Sequence, residues 1–129
     1  MPGLIGPEEF RRVSGAALEL PGVDGVEVLL MHEWRGLTRF ARSEIHQSTA
    51  QEDTGLRVRV ITKDRVGVAS SNDFSPEGAR RTAESAKEMA EVVEPDPLWP
   101  GLAGAIPIPP LDDRFDEATA SAKIGRAHV

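Results

Sequence analysis

The sequence predicts an α+β fold: an antiparallel sheet of about four to five strands, with an N-terminal helix before it and a long alanine-rich helix after it. Three observations carry this. Leu56, Val58 and Val60 alternate with Arg57 and Arg59, and the alternation resumes at Val66, Val68 and Ser70 after the polar turn Lys63-Asp64-Arg65, the pattern of a β-hairpin. Ser75-Pro76-Glu77 then joins a capping hydroxyl, a proline suited to the first helical turn and an acid at the positive end of the helix dipole. Behind that start, Ala79, Thr82, Ala83, Ala86, Met89, Ala90 and Val93 recur at three- and four-residue steps, with charged residues on the other faces.

Taken in order, Pro7 to Leu20 places Phe10, Val13, Ala17 and Leu20 on one helical face and Glu8 and Glu9 in the first turn, and Pro21-Gly22 ends it. Val26 to Trp34 is apolar on both sides toward its middle, which fits a central strand. Gly36 is expected to break it, leaving Leu37 to Arg42 as a short strand. Glu44 to Gln51 is polar on both faces and reads as an edge strand, a groove wall or part of a long twisted hairpin. Gly67 and Ala69 are small, so the strand holding them is expected to accept a close neighbour. The alanine face of the second helix is the obvious one.

Residues 1–93 thus form the α+β domain. Residues 94–114 follow as an extended segment in which Pro95, Pro97, Pro100, Pro107, Pro109 and Pro110 exclude helix and sheet. Leu98, Trp99, Leu102, Ile106 and Ile108 favour its lying along a surface, with Trp99 either a surface anchor or part of an interface. Residues 115–122 begin another helix. The tail at residues 123–129, Lys-Ile-Gly-Arg-Ala-His-Val, has no helical periodicity, and its last six residues match the in-frame translation of a common sequencing-library adapter. It is expected to be non-native, with the gene continuing past about Ala122.

At 129 residues the chain has the length of one domain able to bury a core without staples. It has no cysteine, which removes disulfides, thiolate metal sites and a cysteine nucleophile, and fits a cytoplasmic location. No apolar run has the length of a membrane span. The net charge of −6 opposes a phosphate backbone, so no nucleic-acid or membrane partner is expected, although Arg39, Arg42, Arg57 and Arg59 gather in the sheet region.

Candidate chemistry is sparse. His32-Glu33 suggests a zinc motif, but the positions completing one are Gly36 and Leu37, which cannot bind a metal. His46 can approach His32 across adjacent strands, yet two histidines without a third ligand make a weak site. Ser70 and Ser71 have no adjacent base. No catalytic, cofactor-binding or metal residue is therefore assigned. Arg57 and Arg59 share a strand face with Ile61, and their guanidinium forks suit a peptide carboxylate or a partner subunit, against the plainer reading of a solvated face.

Several stretches in combination resemble a known family. They are Gly25-Val26-Glu27-Val28, Thr38-Arg39-Phe40-Ala41-Arg42, Ile45-His46-Gln47, Leu56-Arg57-Val58-Arg59-Val60, Gly67-Val68-Ala69-Ser70-Ser71-Asn72 and Ser75-Pro76-Glu77-Gly78, with Pro95-Asp96-Pro97 and Phe115-Asp116-Glu117-Ala118-Thr119 after them. Over residues 7–120 the chain resembles the N-terminal domain of the TldD/PmbA metallopeptidases, also called TldD/TldE and formerly "modulator of DNA gyrase". The resemblance implies a longer protein with a second domain, and zinc held in the active subunit by a His-Glu-three residues-His helix plus a distant cysteine, beyond the end of this chain. It also implies a dimer with a related subunit that encloses a cavity where unfolded or small peptides are cut. The Ser-Ser-Asn-Asp-Phe-Ser-Pro-Glu-Gly wording is closer to the non-catalytic PmbA/TldE side. The expected role is thus a non-catalytic scaffold, with a stand-alone module that binds peptides by strand addition at Glu44 to Gln51 as the alternative.

Overall fold

A computed structural model describes residues 3–110 and 115–121. Asp112, Asp113, Ala122 and the tail 123–129 lie outside the described residues. The chain runs α1 (Pro7–Leu18), β1 (Gly25–Ala41), β2 (Glu44–Thr62), β3 (Arg65–Ser71), α2 (Pro76–Val92) and α3 (Glu117–Ala120). The three strands form one antiparallel sheet in the order β1-β2-β3. Both longer helices cover the same face of it.

The α+β architecture is as expected, but three strands stand where four to five were counted. The stretches read separately before and after Gly36 are one strand, and those before and after Gly55 are another. Their register is continuous from Gly25↔Ile61 to Ala41↔Glu44, with a single irregularity between Arg39 and Phe40. Gly36 does not break β1: it pairs with Ala50, and the Trp34 ring packs beside it, 3.1 Å at the nearest atom from the position a Cβ would take. The aromatic ring thus covers the backbone that glycine leaves bare. Both hairpins turn on two residues of positive φ, Arg42-Ser43 and Lys63-Asp64, the hand that matches strand twist.

The core sits between β2 and the helices. Leu56, Val58 and Val60 are fully buried against Val13 and Ala17 of α1 and Ala79, Ala83 and Ala86 of α2, with Val26, Val28, Leu30, Ala69 and Phe74 around them. The alternating arginines point to the other face. Met89, expected on the buried stripe of α2, is half exposed, so the buried face follows the smaller side chains at positions 79, 82, 83, 86 and 90. Small side chains let the helix axis drop onto β3. A Cβ on Gly67 would run into the Ala86 carbonyl oxygen and the Ala90 backbone nitrogen.

The entry to α2 is a compact polar knot. Ser75 Oγ accepts the Gly78 N–H at 3.0 Å, and Asp73 Oδ1 accepts the Ser75 N–H at 3.1 Å. Arg81 donates to the other Asp73 oxygen at 2.7 Å. Hydrogen bonds from Ser75 and, less strongly, the Arg81 charge hold the Asp73 carboxyl below the usual carboxylate range. A side chain at Gly78 would occupy the space of the Asp73 carboxylate and carbonyl. Among the described residues no helix is long and apolar enough to cross a membrane.

Two outcomes are expected. Gly67→Ala forces α2 off the sheet and lowers the unfolding free energy by about 3 kcal/mol, read as a reduced urea midpoint at unchanged slope. Asp73→Asn destabilises the protein at pH 7. Because the folded Asp73 pKa lies below its unfolded value of about 3.9, its contribution is present above that value and disappears as pH falls through the folded one. The gap between the two proteins in urea melts should therefore close on acidification below about pH 4.

Candidate functional site

With both helices on one face, the opposite face of the sheet is open, and Arg57 and Arg59 point into it. The register sets two cross-strand rows there, Leu29↔Arg57↔Ser70 and Glu27↔Arg59↔Val68. The two arginines have different environments. Arg59 Nη2 donates to Glu27 Oε2 at 2.6 Å, and its guanidinium carbon lies 5.5 Å from the centroid of the Trp99 ring. Trp99 is therefore a surface anchor in this chain. It sits over the charge that β1 has half neutralised.

The proline-rich segment is fastened at further points. The Asp96 N–H donates to the Asp64 carbonyl at 2.8 Å, and Leu102 packs against Gly25. It covers the end of the open face where Ile61 lies, and Ile61 is accordingly buried. The other end is uncovered. Leu29, Met31, Gly55, Arg57, Ser70, Ser71 and Asn72 line a shallow concavity of about 370 Å³ there. Arg57 is exposed and, among the described residues, has no ion-pair or hydrogen-bond partner. Among the described residues no carboxylate lines the concavity. It is an apolar floor with one free cation.

Beyond it, β1 and β2 continue as a two-stranded arm, because β3 pairs with β2 only from Leu56 to Thr62. Every residue from Glu33 to Ser48 except Thr38 is exposed, including Phe40 and Ile45. At its root, His32 Nδ1 accepts the Ile5 N–H at 3.1 Å and Nε2 lies 2.8 Å from Glu52 Oε1. The ring stacks on Phe74, with centroids 6.5 Å apart. His32 thus ties the chain before α1 to the arm.

The histidines are not brought together. His32 pairs with Thr54, while His46 lies at the irregularity near the far turn, its Nε2 3.3 Å from the Ala41 carbonyl. Among the described residues no three potential metal-binding side chains cluster. Both His32 nitrogens are already engaged, so the described residues do not fit zinc. The sequence reading missed the Glu27–Arg59–Trp99 and Ile5–His32–Glu52 contacts. Glu27 and Arg59 are opposite charges on the same strand parity, but only the register shows that they face each other.

Comparison with known proteins agrees with this architecture. Residues 26–90, half of the chain, match the family described as PmbA/TldA metallopeptidase domain 1. This chain belongs to the PmbA/TldD metallopeptidase family. It is 34% identical over 84 residues to "Metalloprotease PmbA" of Escherichia coli O157:H7, a match covering 63% of this chain and 18% of that protein. It superposes on the crystal structure of TldE from Thermococcus kodakarensis with a TM-score of 0.62 at 21% identity, over 82% of this chain and 23% of that one. The latter shows the shared fold. The chain spans about a fifth of the length of these relatives.

Removing the anchor should free the proline-rich segment. Trp99→Ala is expected to destabilise the chain by about 1 kcal/mol, and hydrogen exchange should quicken at the amides of Asp96 and Trp99 while those of Val58 and Val60 stay protected.

Proposed function

We propose that this chain is the N-terminal scaffold of a TldD/PmbA-type metallopeptidase subunit, on the PmbA/TldE side of the family. It contributes surface to a dimer with a related subunit and to the wall of a cavity in which unfolded or small peptides are hydrolysed. The observation that carries the reading is the family match over the hairpins and α2, together with a sheet whose core is complete on one face and whose other face is covered at one end only. A domain that needed only to be stable has no use for a long exposed arm, since an isolated two-stranded ribbon is marginal in water.

In this reading hydrolysis occurs in the related subunit. Zinc held by that subunit would supply Lewis-acid chemistry toward a peptide carbonyl and water, while this chain's residues position and enclose the peptide. The exposed Phe40 and Ile45 of the arm and the free Arg57 are its contact groups for subunit or peptide. The setting is the cytoplasm, which the absence of cysteine from this chain fits.

The test has two parts. Sequencing the native locus downstream of the Ala122 codon should reveal a second domain without the His-Glu motif. The 129-residue chain supplied with zinc should leave an unfolded peptide substrate intact, whereas the full-length subunit mixed with a motif-bearing relative should form a complex in size-exclusion chromatography and cleave it. Cleavage by the 129-residue chain alone, or a natural stop near residue 122, would overturn the reading.

A further inference from the structure

β2 has 19 residues and β3 has 7, so among the described residues most of the outer edge of β2 has no neighbouring strand. Over residues 44–55 alternate backbone N–H and C=O groups on that side point into an empty lane, collinear with β3, about 40 Å long. The lane has a defined end. It runs into β3 at Ser71, where the concavity of Leu29, Met31, Arg57, Ser70 and Asn72 opens on the same side of the sheet as Arg57.

We propose that this edge is a strand-addition site for an extended peptide running parallel to β2, whose terminal carboxylate is held by Arg57 where β3 stops. Direction follows from the charge. A peptide parallel to β2 brings its C-terminus toward Gly55, within reach of a guanidinium that, among the described residues, has no ion-pair partner and no carboxylate lining the concavity beside it. An antiparallel peptide would bring an ammonium there. The last side chain of the parallel peptide falls on Leu29 and Met31, both about half exposed, so an apolar final residue fits. Glu52 and Asp53, along the lane, disfavour acidic residues in the body of the peptide.

Main-chain pairing makes such a site tolerant of sequence. A second copy using the same edge would run antiparallel by two-fold symmetry and present its Arg42-Ser43 turn at that end. A turn carries another guanidinium and no chain terminus. The inference rests on the metallopeptidase reading only for the choice of a peptide as ligand.

The experiment uses the isotope-labelled 129-residue chain and a peptide of about ten Thr, Val and Gln residues with one Lys and a free C-terminal Leu. The same peptide with a C-terminal amide, and one N-methylated at alternate residues, serve as controls. The free acid should protect alternate amides within residues 44–55 from exchange. The amide should bind about tenfold more weakly, as expected for loss of one charge-assisted contact. The N-methylated peptide should not bind.

Arg57→Gln should weaken the free acid by the same factor and leave the amide unchanged, with the far-UV spectrum intact. Equal affinity of acid and amide, protection confined to other edges, or protection that grows with protein concentration without peptide would each overturn the proposal. A full-length complex that cleaves peptides while the edge binds none overturns this proposal alone. Edge binding in a chain whose full-length form assembles no peptidase overturns the family role alone.

Discussion

The close approach of α2 to β3 at Gly67 is the contact on which the rest depends. A helix can come that near a strand only if the strand residue lacks a Cβ and the helix residues above it are alanines. Residue 67 with Ala86 and Ala90 meets both conditions. Depth rather than side-chain bulk fills this core. Its largest fully buried side chains are Leu56, Val13, Val58 and Val60, and at about 25 cal/mol per Å² each contributes through area removed from water. A bulkier helix face would hold α2 away from the sheet and leave those three β2 residues half wet.

That packing commits one face of the sheet and so defines the other. With the helices fixed over Leu56, Val58 and Val60, the alternation of β2 turns Arg57 and Arg59 outward. The proline-rich segment then takes one end of the outward face through Trp99 and Leu102. What remains is the uncovered end, with Arg57, and the arm beyond it. The same strand is therefore the middle strand of the sheet for seven residues and half of a two-stranded ribbon for the rest. The transition falls at Gly55, where β3 stops and no atom lies against the glycine.

Much of the body was legible because its signals are local. The Ser75 cap, the alanine stripe, the alternation at residues 56–60 and the smallness of Gly67 each state their geometry within a few residues. The arm was misdivided for the same reason. Gly36 looks like a break in isolation, and the polar stretch 44–51 looks separate from the alternation at 56–60, but the pairing of β1 with β2 runs through both and the Trp34 ring packs beside Gly36. The arginine pair was visible as a polar strand face. The difference between its members was not, since Glu27 and Trp99 reach Arg59 from positions 32 residues before it and 40 after it.

The sequence by itself determined the fold class, the helix starts, the buried parity of β2 and the absence of thiol chemistry, because periodicity, capping and composition are properties of short stretches. It also held the family's wording in its hairpins and in the entry to α2. Only the tertiary structure decided how many strands the described residues form, that His32 and His46 stay apart, and that among those residues Arg59 is engaged by Glu27 and Trp99 while Arg57 has no partner. Those outcomes depend on register and on which segment covers which face, and both are fixed by contacts between residues far apart in the chain.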